Sequence, residues 1–148
     1  GCHRCSSACR DRGACAGQAA VSEPSMPSAA TLEAFIAAVE SGAHAQAIED
    51  YYTENATMRE NQAEPRRGRD VLVAHEKAVL ARTAKVESTC VRPVFVNGDH
   101  VVIRWIFVFT GTDGRTRRME ELAWQRWEGE RIAQEEFFYD PAQFAPQG

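Results

Sequence analysis

An α+β fold is what this sequence predicts, and three observations predict it. Apolar residues recur at helical spacing as far as about Ala81. From Lys85 onward they alternate with a period of two. Tight-turn signals at Asn97-Gly98, at Gly111 to Gly114 and at Glu128-Gly129-Glu130 then divide that second part into four strands. Four strands joined this way form an antiparallel meander, and the three preceding helices must cover one of its faces. A chain of 148 residues supports one such domain with a real core, and not two.

Residues 1–29 are small and polar, with no apolar residue larger than alanine before Val21, and end in a Ser/Pro-rich stretch. The expectation is an unstructured leader ahead of one domain over residues 30–148. Cys2, Cys5, Cys9 and Cys15 crowd this leader. Such a cluster raises two disulfides or a tetrathiolate zinc site, but only Cys2-His3-Arg4-Cys5 has knuckle spacing and nothing nearby can pack it, so no metal is expected. On this reading, removal of residues 1–28 leaves stability unchanged.

Order is expected near Thr31, as helix N-cap, with Leu32, Phe35, Ile36 and Val39 on one face and Gly42 as the stop. A second helix is expected from about His44 to Thr53, closed by Asn55, with Ala47, Ile48, Tyr51 and Tyr52 inward. Ala56 to Glu60 alternates and reads as a short strand. Pro65 to Arg69 reads as a loop, and Asp70 as the cap of a third helix to about Ala81. The meander strands are Val86 to Val96, bulged at Pro93, then Val101 to Thr110, Thr116 to Trp127 and Arg131 to Tyr139. Asn97-Gly98 is expected to form the centre of a type I′ turn.

Composition narrows function by exclusion. With 44% hydrophobic and 26% charged residues and a net charge of -4, the chain offers no electrostatic case for nucleic acid or a membrane surface as partner. No stretch approaches the roughly 20 apolar residues of a membrane span. A lone Cys90 among strand residues reads as a buried, inert thiol, which points to a reducing, cytoplasmic setting. No nucleotide loop, zinc-enzyme motif or nucleophile motif is present, so no cofactor is expected.

Helix, helix, short strand, helix and four-stranded meander is an informative order. In it the sequence resembles the nuclear transport factor 2-like superfamily, especially its SnoaL-like polyketide cyclase and ketosteroid isomerase-like members, over about residues 31 to 144. The resemblance is carried by Tyr52-Thr53-Glu54-Asn55-Ala56-Thr57-Met58-Arg59-Glu60, by Glu64-Pro65-Arg66-Arg67-Gly68 and by Trp127-Glu128-Gly129-Glu130-Arg131-Ile132. It implies a cone-shaped, curved antiparallel sheet packed on three N-terminal helices (a cystatin-like fold) with a pocket at the open end. It also implies an outer sheet face that commonly packs on a second subunit, hence a homodimer. It does not imply one reaction, because this fold hosts isomerases, cyclases, epoxide hydrolases, dehydratases and non-catalytic modules.

By the same resemblance Glu60 matches the carboxylate base of the isomerases. Beside Met58 and aromatic neighbours it would lose solvation and gain pKa, provided no arginine enters the pocket. His75, at helical spacing from Val71 and Leu72, is a partner able to share its proton. Phe35 stands where the isomerases carry an oxyanion-hole tyrosine. The second acid of that family aligns near Ala123, with Glu121 the nearest inward carboxylate, which argues against steroid isomerisation.

Trp105, Phe107 and Phe109 share one face of their strand, and Arg104, Ile106 and Val108 the other. Both faces are largely apolar, so periodicity leaves open which one is inside. If Arg104 points inward, Glu121 is its cross-strand partner. Phe35, Tyr51, Met58, Arg104, Trp124, Phe137 and Tyr139 are the expected ligand contacts, with Glu60, His75 and Glu121 the expected catalytic groups. Two functions follow: a cofactor-free acid–base enzyme acting on a small, largely apolar carbonyl compound or epoxide, and a non-catalytic dimeric domain that binds such a ligand or assembles.

Overall fold

Ser28 starts the first helix. Its hydroxyl accepts a hydrogen bond from the Thr31 amide at 3.1 Å, which satisfies one of the helix's free N–H groups. Glu130, from the last turn of the meander, accepts from both the amide and the hydroxyl of Ser28, each at 3.0 Å. The computed structural model describes residues 25–144, and the expectations for Cys2, Cys5, Cys9 and Cys15 lie outside them. Within them, packing begins ahead of the expected boundary. Helix α1 spans Ala29–Glu40, so Thr31 is inside the first turn and Ser28 is the cap. A truncation at Ala29 would therefore remove a cap worth about 1 kcal/mol.

Leu32, Phe35, Ile36 and Val39 are the buried face of α1. Gly42, at φ 88°, ends it, since a left-handed residue there costs glycine nothing. Helix α2 (His44–Tyr51) is shorter than expected. Tyr52 already belongs to strand β1 (Tyr52–Glu60), paired in parallel with Ile132. Two arginines hold that junction: Arg69 and Arg131 both donate to the Tyr52 carbonyl, at 3.2 and 3.1 Å. Local spacing had extended the helix to Thr53, but pairing to a strand eighty residues away outweighs it.

Arg66–Arg67, expected as loop, forms a two-residue strand β2 against Thr57 and Met58. Gly68, at φ 95°, precedes α3 (Arg69–Ala81), and Asp70 lies in the helix's first turn and does not cap it. The meander follows as β3 (Thr83–Asn97), β4 (His100–Gly111), β5 (Thr116–Glu128) and β6 (Arg131–Phe138). The β3–β4 register shifts between Val91 and Phe95, around Pro93, where the missing amide breaks the ladder. Asn97 pairs with His100, so the turn is centred on Gly98 and Asp99. Only Gly98 has positive φ, 61°, which excludes type I′.

The sheet order is β2-β1-β6-β5-β4-β3. It is a curved, unclosed, six-stranded mixed sheet: the antiparallel meander is extended by β1, parallel to β6, and by β2. Trp105, Phe107, Ala123, Gln125 and Trp127 face the helices and are buried. Arg104 and Leu122 face away and are exposed. Ile36, Leu72 and Ile103, each essentially inaccessible, meet between the layers, at about 1.5–3 kcal/mol of burial apiece. Val71, expected to mark the inner face of α3, is exposed, whereas Leu72 and Val73 are buried. No helix among the described residues is long and apolar enough to cross a membrane.

Candidate functional site

Helices and sheet separate at one end and leave a cavity of about 620 Å³. Its walls are mostly apolar, with Phe35 from α1, Met58 from β1 and the ring ladder Trp105, Phe107 and Phe109 from β4. Trp105 and Phe107 stack at 5.5 Å between centroids. Phe35 presents its edge to Tyr52 at 6.3 Å and to Trp127 at 5.9 Å, which fixes α1 against the inner sheet. Phe137, Tyr139 and Phe144 close the other side, and the Tyr139 and Phe144 rings meet edge to face at 5.6 Å.

Two buried acids stand in this apolar setting. Glu121, on β5, is 6% exposed and lies opposite Trp105 in the ladder. It makes no hydrogen bond or ion pair with any described residue, although it lines the cavity. Burial, and then the charges of Glu135, Glu60 and Glu76, push its pKa up to about 9. Glu121 is thus a neutral carboxylic acid at pH 7, with an O–H to donate.

Glu135, on β6, is 2% exposed. The Tyr52 hydroxyl donates to its Oε1, and Gln125 Nε2 donates to its Oε2 at 2.7 Å. Gln125 is oriented in turn by Trp127, whose indole N–H donates to Gln125 Oε1 at 3.0 Å. Burial raises the Glu135 pKa, the two donors pull it back, and it stands at about 7. The Tyr52 hydroxyl is itself pushed well above its ordinary range, by burial and by the adjacent Glu135 charge, and remains a donor. The two carboxyls hold different protons at the same pH because one has donors and the other has none.

His44 forms a second polar array on the helical wall. Its Nδ1 lies 3.4 Å from Glu76, and its Nε2 lies 2.8 Å from the Ser88 hydroxyl. His44 and Glu76 line the cavity. The buried Ser88 hydroxyl ends the array inside β3, so it orients the imidazole. Among the described residues no three His, Cys, Asp or Glu side chains gather in a set that could hold a metal.

The expected site residues divide into four groups. Phe35, Met58, Phe137, Tyr139, His75 and Glu121 line the cavity as placed from sequence. Glu60 lines it too, but at the rim: its side chain is 39% exposed and Arg66 stands 3.9 Å away. The condition attached to its deep, uncharged role, an arginine-free pocket, is not met. Arg104 and Trp124 lie on the opposite face of the sheet; Arg104 pairs with Glu120 and not with Glu121, and the Trp124 ring rests 5.1 Å from His100. Tyr51 touches Phe35 from behind at 5.6 Å and does not reach the cavity. Cys90 is half-buried, with its thiol pKa raised by burial.

The site expected from sequence leaves out Gln125 and His44, and also Tyr52 and Glu135, although Tyr52 is expected inward and Glu135 shares a face with Phe137 and Tyr139. The signal for Glu135 was available: it alternates with Phe137 and Tyr139 and shares a ladder rung with Gln125. No signal tied Tyr52 to it, because the parallel pairing of β1 with β6 is a long-range event.

Residues 32–135 match the SnoaL-like domain family. The chain belongs to this family. No match was found among curated proteins. Solved structures agree on the fold. An NTF2-like protein of unknown function from Burkholderia pseudomallei is 15% identical, with a TM-score of 0.67 over 78% of this chain and 92% of that one. A protein with a ketosteroid isomerase-like fold from Catenulispora acidiphila, in complex with trimethylamine, is 18% identical with a TM-score of 0.65 over 76% and 87%. An LEH-like epoxide hydrolase from M. tuberculosis is 13% identical with a TM-score of 0.63 over 75% and 80%. At these identities the likeness of this SnoaL-like chain to each is one of fold.

Proposed function

We propose that this SnoaL-like protein is a cofactor-free acid–base enzyme acting on a small, largely apolar carbonyl compound or epoxide. The observation that carries this reading is Glu121, a buried carboxyl aimed into an apolar cavity with no partner among the described residues. Such a group costs stability and is retained where a ligand uses it. Glu121 is the acid: it donates to a ligand oxygen as negative charge develops there. Glu135 is the base, held by Tyr52 and Gln125 with lone pairs to spare. On a carbonyl compound the pair moves a proton from the α-carbon to Glu135 while Glu121 holds the oxygen. On an epoxide, Glu135 takes a proton from attacking water while Glu121 protonates the opening oxygen. Glu60 and His75 serve at the rim and wall, where they shape entry and binding.

A carboxyl-carbon NMR titration tests the assignment before a substrate is known. Two buried glutamates should titrate near pH 7 and near pH 9, and the second signal should vanish in Glu121→Gln. Ordinary titration of Glu121 near pH 4.5 would remove the acid from the mechanism.

The outer sheet face supports an accompanying assembly. Phe95, Val102 and Trp124 share one rung of it, and Phe95 is 63% exposed. Leu122 and Phe138, which pair on the next outward-facing rung, are exposed as well. The C-terminal turn, Pro141–Phe144, does not cover this face: Phe144 lines the cavity. A second copy is the proposed cover, and light scattering at micromolar concentration should give twice 16.4 kDa. A clean monomer would end this assignment without touching the acid–base pair.

A further inference from the structure

Arg82, Arg115 and Arg117 line the cavity at the end where α3 meets the β4–β5 hairpin. The Thr112 amide donates to the Arg82 carbonyl at 3.1 Å and ties helix end to hairpin. Arg117 lies opposite Phe109 on the inner face, whereas the next residue, Arg118, turns outward to Glu120 at 3.9 Å. Among the described residues Arg82 and Arg117 have no ion-pair partner, and Arg115 reaches only Asp113, at 3.9 Å. Three guanidinium groups thus meet an apolar opening with at most one carboxylate between them.

The interior has the opposite character. Below the arginines come Phe109 and Phe107, and beyond these the carboxyls of Glu76 and Glu135, with the neutral acid Glu121 beside them. An anionic group is repelled from the depth and attracted at the rim, so an amphipathic anion can enter in one orientation only. Arginine's fork matches a carboxylate in shape as well as in charge.

We infer that the cavity takes amphipathic monocarboxylates, with the carboxylate held at the rim by Arg82, Arg115 and Arg117 and the apolar body along Phe109 and Phe107 toward Glu121. This names the substrate class of the site under the acid–base reading above, yet it concerns binding alone. The rim fixes which end of the molecule reaches the acids.

Calorimetric titration with octanoate and with 1-octanol at pH 8 and low salt tests it. Octanoate should bind about tenfold tighter than the alcohol, the sum of a few partly solvated ion pairs. Arg82→Gln/Arg117→Gln should abolish that preference, as should 1 M salt, where charges are screened within about 3 Å. Arg118→Gln, on the outer face, should keep it. All three side chains are exposed, so melting curves should not change. Equal binding of the two probes, binding of neither, or a preference that survives the double substitution would overturn the inference. Glu121→Gln should keep the preference, so a failure at the rim and a failure of the acid are read separately.

Discussion

Glu121→Gln is expected to be more stable than the parent protein at pH 8 and nearly without turnover. Glutamine is close to isosteric and never ionises, so the cavity keeps its shape and loses its acid. The sign of the stability effect follows from linkage. Below pH 4.5 the Glu121 carboxyl is neutral in both folded and unfolded chains, and its titration contributes nothing. Above that the unfolded chain ionises freely while the folded one does not, so stability falls from pH 4.5 until the folded group ionises near pH 9. The substitution removes this loss, on the order of 3 kcal/mol at pH 8 once partial water access is allowed for. Denaturant curves at pH 5 and pH 8 measure it: the variant's advantage should be small at the first and large at the second. Activity on a carbonyl or epoxide substrate should fall roughly 100- to 1000-fold, the usual effect of removing one donor to a developing oxyanion. A variant with full activity, or one destabilised at pH 8, would make Glu121 a structural residue.

Tyr52→Phe carries the second large effect. It deletes the hydroxyl that donates to Glu135 and leaves the ring in place against Phe35. The donor favours the ionised carboxylate, so its loss raises the Glu135 pKa above about 7. The cost in stability should be about 1 kcal/mol at pH 5, where Glu135 is protonated, and about 2 kcal/mol at pH 8, where the lost bond is charge-assisted. Turnover should follow the same titration. In the parent protein kcat/KM should rise as Glu135 ionises near pH 7 and fall as Glu121 ionises near pH 9. In Tyr52→Phe the rising limb should move up by about one pH unit while the falling limb stays. An unmoved rising limb would assign that limb to another group and take the base role from Glu135.

These effects converge on an arrangement that keeps two nearby carboxyls in different protonation states. Glu135 has three side chains arranged around it, Tyr52, Gln125 and Trp127, from β1 and β5. Glu121 has Trp105 and open cavity. A group kept unpartnered in a core is expensive, and the large apolar interior built by α1, β4 and β5 offsets it.

Much of the framework is legible in the amino-acid order. The change of period from helical to two after Lys85 marks the change from helices to meander, because side chains on a helix and on a strand repeat differently along the chain. Gly98, Gly114 and Gly129 place the turns, since each adopts positive φ. The alternation in Met58 and Glu60, in Trp105, Phe107 and Phe109, and in Glu121 and Ala123 states correctly which residues share a face. That Phe35, Met58, His75, Phe137 and Tyr139 face a cavity is what the family resemblance implies, and they do line it.

What periodicity cannot do is choose between two faces that are both apolar. Ile106, Val108 and Leu122 make the outer face as hydrophobic locally as the inner one, so periodicity does not keep Arg104 and Trp124 out of the pocket, although they lie behind it. Nor does local sequence report a parallel pairing across eighty residues. The contact of β1 with β6 shortens α2, turns Tyr52 from a helix residue into a strand residue, and brings its hydroxyl to Glu135. Glu60 and Glu121 are both strand glutamates in the sequence. Tertiary packing alone separates them, by setting one beside Arg66 at the rim and burying the other beside Trp105 on the inner wall of the cavity. The sequence by itself determined the three helices, the four meander strands, the glycines at their turns and the sets of residues that share a face, because these depend on neighbours a few positions away; β2 and the change from helix to strand at Tyr52 do not. Which face is buried, and hence that Glu121 keeps its proton, depends on desolvation by distant segments, and only the tertiary structure decided that.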